Sequence, residues 1–165
     1  MKTIPFEILD PAWDVFFDEN EEKIQERIGL MSEQQPLLMV YLMSIGEDVM
    51  TEDEQESLFA YGAFAWNMLE QNGCKTEVTE TILDEVEGQY AEMLDELEEQ
   101  PPEVYVERIN KMLESHNQSP LLNYILDVLD TEVEEEITGE ENAGMMFTII
   151  QVTVDTLLKA QAANN

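Results

Sequence analysis

Positive charge is scarce in this chain. Seven Lys and Arg residues stand against 38 Asp and Glu residues among 165, which gives a formal net charge of −31. Contacts to phosphate groups need clustered Lys and Arg, so a direct nucleic-acid interface is effectively excluded and binding to anionic membranes is disfavoured. The field of such a chain favours basic proteins, cationic peptides or metal cations as partners.

Cysteine and histidine occur once each, as Cys74 and His116. A single cysteine excludes an intramolecular disulfide and suits a reducing compartment, so we expect a cytoplasmic protein. Cys74 follows Gly73 in a predicted loop, where a structural thiol is expected. His116 stands at a predicted helix end, where the helix dipole favours a cation, and this role is preferred over that of a catalytic base.

Motifs that carry chemistry are also missing. The chain has no nucleophile elbow, P-loop or dinucleotide-binding glycine pattern, and its one histidine excludes a di-iron carboxylate bundle. Asp130, Glu132 and Glu134 alternate as in a calcium-binding loop, but Glu135 stands where that loop requires glycine. We therefore assign no catalytic, cofactor-binding or metal-ligating residue and expect a protein that is not an enzyme. The longest uncharged runs have 13 residues, too few to span a bilayer.

Apolar residues recur at helical spacing along most of the chain, which predicts an all-α fold. Four segments are apolar nearly all round and are expected to form a core covered on every side: 36–46, 57–70, 120–130 and 143–159. Three acid-rich segments with one apolar face each are expected to wrap it: 12–31, 77–99 and 102–116. Residues 3–9 are predicted to be an extended arm. The prediction is one domain, residues 1–165, built as a bundle of seven to eight helices.

Two halves of the sequence resemble each other. Glu26-Arg27-Ile28 matches Glu107-Arg108-Ile109 at an offset of 81, and Pro36 matches Pro120 at an offset of 84. A capping-box pattern, Thr51 with Glu54, recurs as Thr138 with Glu141 at an offset of 87. These matches predict an internal duplication, about 12–72 and about 92–160, with pseudo-twofold packing. Chance similarity between two Glu-rich helical stretches is the alternative.

Two acid-rich segments form the candidate partner-binding surface. Its residues are Glu92, Asp95, Glu96, Glu98 and Glu99 in the first segment and Glu132, Glu134, Glu135 and Glu136 in the second. Because the sequence shows no catalytic motif, these acidic segments favour a non-enzymatic adaptor, inhibitor or chaperone-like protein that binds a basic protein or peptide.

Two other interpretations stay open. The first segment carries about one charge per ~2.4 Å of helix, close to the ~1.7 Å of duplex DNA, so the protein could be a nucleic-acid mimic that blocks a DNA-binding protein. Alternatively, the acids serve only to keep the protein soluble. The sequence leaves the oligomeric state and the identity of the partner open.

Overall fold

The chain folds into helices that follow one another with short connections. A computed structural model describes residues 1–18 and 20–164, and within these ranges it contains eight α-helices, a 3₁₀ turn at Phe6–Ile8 and no strand. The helices are α1 (Leu9–Asp18), α2 (Glu21–Gln34), α3 (Pro36–Ser44), α4 (Glu52–Gln71), α5 (Glu80–Glu98), α6 (Pro102–Ser115), α7 (Ser119–Glu134) and α8 (Glu140–Ala163). The predicted all-α bundle is confirmed.

The α4 and α8 helices lie side by side at the centre. Every residue from Tyr61 to Glu70 is buried, and α8 packs on α4, α5 and α7. Both helices point the same way, because their N-termini share hydrogen bonds through Glu54 while the loop after α4 bonds the last turns of α8. The predicted core residues Leu38, Ala65 and Ile150 are fully buried, and Leu126 is half-buried.

Among the described helices, α8 alone has the length and composition of a membrane span. It has 24 residues, and 61% of its most apolar stretch is buried by the rest of the fold. The central helix of a water-exposed bundle meets the same criteria, since it too must be apolar on every side. The contacts of α8 with three other helices are those of such a central helix.

One predicted core helix is not covered on every side. Leu38 and Leu42 of α3 are buried, but Val40 is 62% and Met43 is 58% exposed. The reason is that α3 has only nine residues and packs against α2 and α4 alone, so its outer face has no neighbour. The expectation of full coverage is therefore wrong for this helix.

The predicted extended arm is shorter than expected. Residues 6–8 form the 3₁₀ turn and α1 begins at Leu9, so only the first five residues are extended. Pro11 lies in the first turn of α1, where a missing N–H breaks no helical hydrogen bond. Ile4 anchors the arm and is 2% exposed.

Two buried glutamines hold extended segments in the same manner. Gln118 precedes α7; its amide nitrogen donates to the Lys2 carbonyl and its oxygen accepts from the Ile4 N–H. Gln35 precedes α3, and its amide bonds the Thr76 carbonyl and the Val78 N–H in the same register. Each glutamine therefore clamps the segment that leads into α1 or α5.

The internal duplication stays a prediction, and the two glutamine clamps give an alternative alignment of its halves. This alignment pairs Gln35 with Gln118 at an offset of 83, and it also pairs the buried Leu38 with the buried Leu121. It replaces the match of Pro36 with Pro120, which needs an offset of 84. On this alignment the second half begins near residue 75 and contains α5 to α8. The predicted start at residue 92 lies inside α5. Pseudo-twofold packing of the halves stays a prediction.

A single carboxylate joins the N-termini of α4 and α8. Glu54 is 2% exposed and completes the predicted capping box with Thr51. Its second oxygen accepts from the Gly139 N–H at 2.9 Å, and the Asn142 amide donates to its first. Burial by itself would raise the pKa of Glu54, but these donors outweigh burial and lower it below its ordinary value.

The predicted second capping box, Thr138 with Glu141, is wrong. Gly139 is the N-cap of α8 and has no side-chain oxygen, while the Thr138 hydroxyl donates to Glu132 at 2.9 Å. The acceptor for the Gly139 N–H comes instead from Glu54 on the neighbouring helix. Sequence spacing could not reveal this substitute cap, because it depends on how the two helices pack.

We predict that Gln35→Ala and Gln118→Ala destabilise the protein to a similar extent. Each change leaves a buried N–H and a partly buried carbonyl without a partner, which costs about 1–3 kcal/mol in the free energy of unfolding. Urea unfolding measures this loss, with exposed Gln89→Ala as the control that changes little. Loss in only one of the two variants would show that the clamps are not equivalent.

We also predict that Glu54→Gln is less stable than the wild type by about 2–3 kcal/mol at pH 7. A lowered pKa in the folded state means that the ionised carboxylate stabilises the fold above its ordinary pKa of 4.5, and that this contribution is lost as the pH falls further. The difference between the variants should therefore shrink below that pH in urea titrations. A constant difference, or an equal effect of exposed Glu56→Gln, would contradict the prediction.

Candidate functional site

The acidic residues predicted on α5 all lie on its outer face. Glu92, Asp95, Glu96, Glu98 and Glu99 are exposed, and the buried residues of the same stretch lie between them at helical spacing. Those buried residues are Tyr90, Met93 and Leu97. The predicted surface on α5 is therefore accessible to a partner.

The register of α5 on α8 places this surface near one end of the bundle. The Tyr90 hydroxyl donates to Asp155, and Lys159 pairs with Glu85, so the two helices are antiparallel. Following that register, the last turn of α5, with Glu98, lies beside the N-terminal half of α8. The last acids of α5 and the acids at the start of α8 therefore lie in the same half of the bundle.

The acidic residues predicted on α7 divide into two groups. Glu134, Glu135 and Glu136 are exposed at the end of the helix. Glu132 points inward, is half-buried and accepts hydrogen bonds from three hydroxyl groups. The donors are Ser57, Tyr61 and Thr138.

Glu132 therefore does not belong to the free acidic surface. Burial and the bond to this carboxylate raise the pKa of the Tyr61 phenol, which stays protonated and continues to donate. The glutamate is an internal tie between α7 and α4. The sequence does not indicate that Glu132 is the one that turns inward, because four glutamates occur in the same short stretch.

Exposed acids occur at the termini of four helices in the same half of the bundle, and we call them together the acidic end. It comprises the first turns of α4 and α8 and the last residues of α5 and α7. Its exposed carboxylates are Glu52, Asp53, Glu98, Glu99, Glu134, Glu135, Glu136, Glu140 and Glu141. The bonds of Glu54 bring the starts of α4 and α8 together, and the short connection 135–139 brings the end of α7 to them.

Carboxylates at the two kinds of helix terminus differ in energy. Acids in the first turns of α4 and α8 are favoured by the helix dipole, whereas acids at the ends of α5 and α7 oppose it by about 0.3–1 kcal/mol each. None of the described helices has a basic residue in its last turn. The carboxylates at the ends of α5 and α7 are therefore repelled by the helix dipoles, and a bound cation would reduce this unfavourable energy.

The Lys and Arg side chains that form ion pairs lie elsewhere. Within the described residues, only Glu70, Glu85 and Glu107 are within salt-bridge distance of a Lys or Arg, and none of these is at the acidic end. Lys75 and Lys159 lie near the C-terminal end of α8. The acidic end is consequently left without neutralising partners.

A groove opens beside the acidic end, between α6, α7 and the N-terminal half of α8. We call it the α6–α8 groove; its volume is about 520 Å³. It exists because α6 packs chiefly on α7, so that its first two turns stand away from α8. Most of its lining is apolar and includes Tyr105, Val106, Ile109, Leu126, Val133 and Phe147.

Two carboxylates also line this groove, Asp130 and Glu140. Desolvation by the protein, with repulsion from Asp127 and Glu134, raises the pKa of Asp130. A cation bound at this edge would interact with a carboxylate whose ionised form is disfavoured by its neighbours. The groove thus combines apolar walls with a negative rim.

His116 and Cys74, the residues elsewhere that could act in catalysis or metal binding, are held by hydrogen bonds within the fold. His116 caps the end of α6; its Nδ1 accepts from the Gln118 N–H and its Nε2 bonds Asp155. Because Nδ1 is an acceptor, the ring proton is assigned to Nε2, and neither nitrogen is free. Cys74 donates to the Leu157 carbonyl, and burial raises the pKa of its thiol to about 11. Both arrangements fit structural roles.

Within the part of the chain that the structure describes, no three side chains of His, Cys, Asp or Glu are grouped to hold a metal ion. Comparison with protein-family models, curated proteins and solved structures finds no match for this chain. The site must therefore be interpreted from its own geometry.

The α6–α8 groove was not predicted from the sequence, although one signal for it exists. Val104, Tyr105 and Val106 are consecutive, and three consecutive residues of a helix cannot all face one neighbour. All three are exposed, at 40%, 36% and 54%. An apolar triplet on an acid-rich helix could have indicated an unfilled contact surface.

We predict that Glu136→Gly stabilises the protein by about 1 kcal/mol. Glu136 follows the end of α7 with φ of 60°, a left-handed conformation that glycine adopts without steric penalty. Thermal unfolding should show a melting temperature higher by about 2–4 °C. Glu135→Gly removes the same charge at a residue with φ of −85° and is the control; an equal gain there would make charge, not conformation, the cause.

Proposed function

We propose that this chain is a non-enzymatic, cytoplasmic interaction protein whose acidic end binds a basic protein or peptide. The observation that carries the proposal is the set of exposed carboxylates at the C-termini of α5 and α7, which no Lys or Arg of the described residues neutralises. Charge at those positions opposes the helix dipole, so stability does not account for it. A cationic partner would remove the repulsion between these carboxylates and the helix dipoles, and this would strengthen its binding.

The strained conformation of Glu136 supports the same proposal. A glutamate occupies a left-handed position that glycine fills better, and it lies in the middle of the acidic end. Strain of this kind is commonly retained where a side chain has a role in recognition. The local arrangement is therefore explained by a partner more readily than by the needs of the fold.

The electrostatic character of the site sets the expected kinetics. Unpaired surface charges speed the encounter with an oppositely charged partner, and salt screens them within about 8–10 Å. Binding should consequently weaken as the NaCl concentration rises. An interaction that was insensitive to salt would not involve the acidic end.

The test compares neutralisation of the acidic end with neutralisation elsewhere. The first variant combines Glu98→Gln, Glu99→Gln, Glu134→Gln and Glu135→Gln. The matched control removes the same charge from exposed residues distant from the start of α8, with Glu26→Gln, Glu33→Gln, Glu77→Gln and Glu114→Gln. The probe is a fluorescent oligolysine peptide of about ten residues in low salt, where screening is weakest.

We predict that the first variant binds the peptide roughly tenfold more weakly, since four partly screened pairs contribute about 0.3–0.5 kcal/mol each. The control variant should lose much less. Equal losses in the two variants would favour the alternative in which the acids only solubilise the protein. For a basic partner isolated from the native cell, competition by duplex DNA for the same protein surface would indicate the nucleic-acid mimic.

A further inference from the structure

We infer that the α6–α8 groove receives the apolar face of an amphipathic basic helix, the segment of the partner whose charges engage the acidic end. The inference rests on the proposed function and adds to it the kind of segment that is bound. An acidic surface alone would accept any cation. The groove adds a requirement for apolar side chains on the same segment.

The first support is the chemistry of the groove. Its walls present the exposed Tyr105 and Val106 on one side and Leu126 and Val133 on the other, and its volume of about 520 Å³ is in the range of ligand sites. Asp130 and Glu140 stand at its edges. Apolar walls with a negative rim complement an amphipathic helix that carries lysine or arginine beside its apolar stripe.

The second support is a polar side chain that reaches into the groove. Gln151 lines the groove, and its amide makes no hydrogen bond with another described residue, yet neither amide atom is fully closed off from solvent. Gln35 and Gln118, by contrast, each bond a backbone carbonyl and an N–H. The amide of Gln151 is therefore free to bond one polar group of a segment that enters the groove.

The floor of the groove permits close approach of another helix. Ala143 and Gly144 lie on the groove side of α8, and a Cβ added at Gly144 would meet no atom within 4 Å. Small residues let a second helix approach, and the open space above Gly144 is where its apolar side chains would lie. The amide of Gln151, further along α8, would then meet a polar side chain in that stripe.

The same open space makes the inference testable without damage to the core. Gly144→Leu places a side chain in the groove, and leucine also raises helix propensity relative to glycine by about 1 kcal/mol. Gly88→Leu is the matched control, because Gly88 is exposed on α5 and an added Cβ there also meets nothing within 4 Å. Both variants should melt at or above the temperature of the wild type.

Two synthetic helical peptides of equal charge serve as probes. One carries leucines at helical spacing among lysines, and in the other every leucine is replaced by glutamine. Wild type and Gly88→Leu should bind the leucine peptide at least tenfold more tightly than the glutamine peptide in fluorescence anisotropy. In Gly144→Leu this difference should disappear, with binding of the glutamine peptide unchanged.

A third variant examines the unpartnered amide. Gln151→Met keeps the size of the side chain and removes its polarity. It should tighten binding of the leucine peptide and weaken, by several-fold, binding of a version with one central serine. If Gln151 has no contact with the bound segment, the preference between these two peptides will be the same as in the wild type, and the role of the amide is refuted.

The outcomes separate the inference from the proposed function. Equal affinity of the wild type for the leucine and glutamine peptides, or an equal loss of both in Gly144→Leu, would overturn the groove and leave the acidic end standing. Absence of binding by either peptide at low salt would overturn both. Loss of the leucine preference in Gly144→Leu alone supports the groove as the docking site.

Discussion

The packing of α4 against α8 is the contact on which the other helices depend. Ten consecutive residues of α4, Tyr61 to Glu70, have no solvent-exposed side, and α8 provides the surface for α5 and α7 as well. Burying a large apolar side chain such as Phe64 or Trp66 contributes roughly 1.5–3 kcal/mol. These contributions must offset the mutual repulsion of 38 acidic residues, and the long buried stretches of both central helices supply much of that burial.

Polar groups then fix the position of what surrounds this pair. Glu54 holds the helix starts together, and the two glutamine clamps hold the segments that enter α1 and α5. Each is buried with its hydrogen bonds satisfied, so it specifies one arrangement at little energetic loss. Gln151 in the α6–α8 groove differs from the two clamps, because its amide bonds no other described residue and is reachable from the groove.

The sequence predicts what depends on one helix at a time. Apolar periodicity and proline positions located the helices and the buried Leu38, Ala65 and Ile150, and the spacing of Thr51 and Glu54 identified a true capping box. It fails where the outcome depends on a second helix. The open face of α3, the inward turn of Glu132 and the cap supplied to Gly139 each follow from which helix happens to be adjacent.

The candidate site shows the same division. Exposure of the acids on α5 follows from their position opposite a buried stripe, and this was predictable. Their position in the same half of the bundle as the end of α7 and the start of α8 arises from the antiparallel register of α5 on α8. The groove beside them arises from the distance between α6 and α8. Neither relation is encoded in the periodicity of a single segment.

The separation of Lys75 and Lys159 from the acidic end has a consequence for how the molecule moves near other charges. Besides the net charge, these two lysines at one end of α8 and the carboxylates at the other contribute a dipole component along that helix. In the field of a positively charged surface the protein experiences a torque that turns the start of α8 forward before contact. A larger share of collisions is then correctly oriented, so the position of these two lysines contributes to the rate of association.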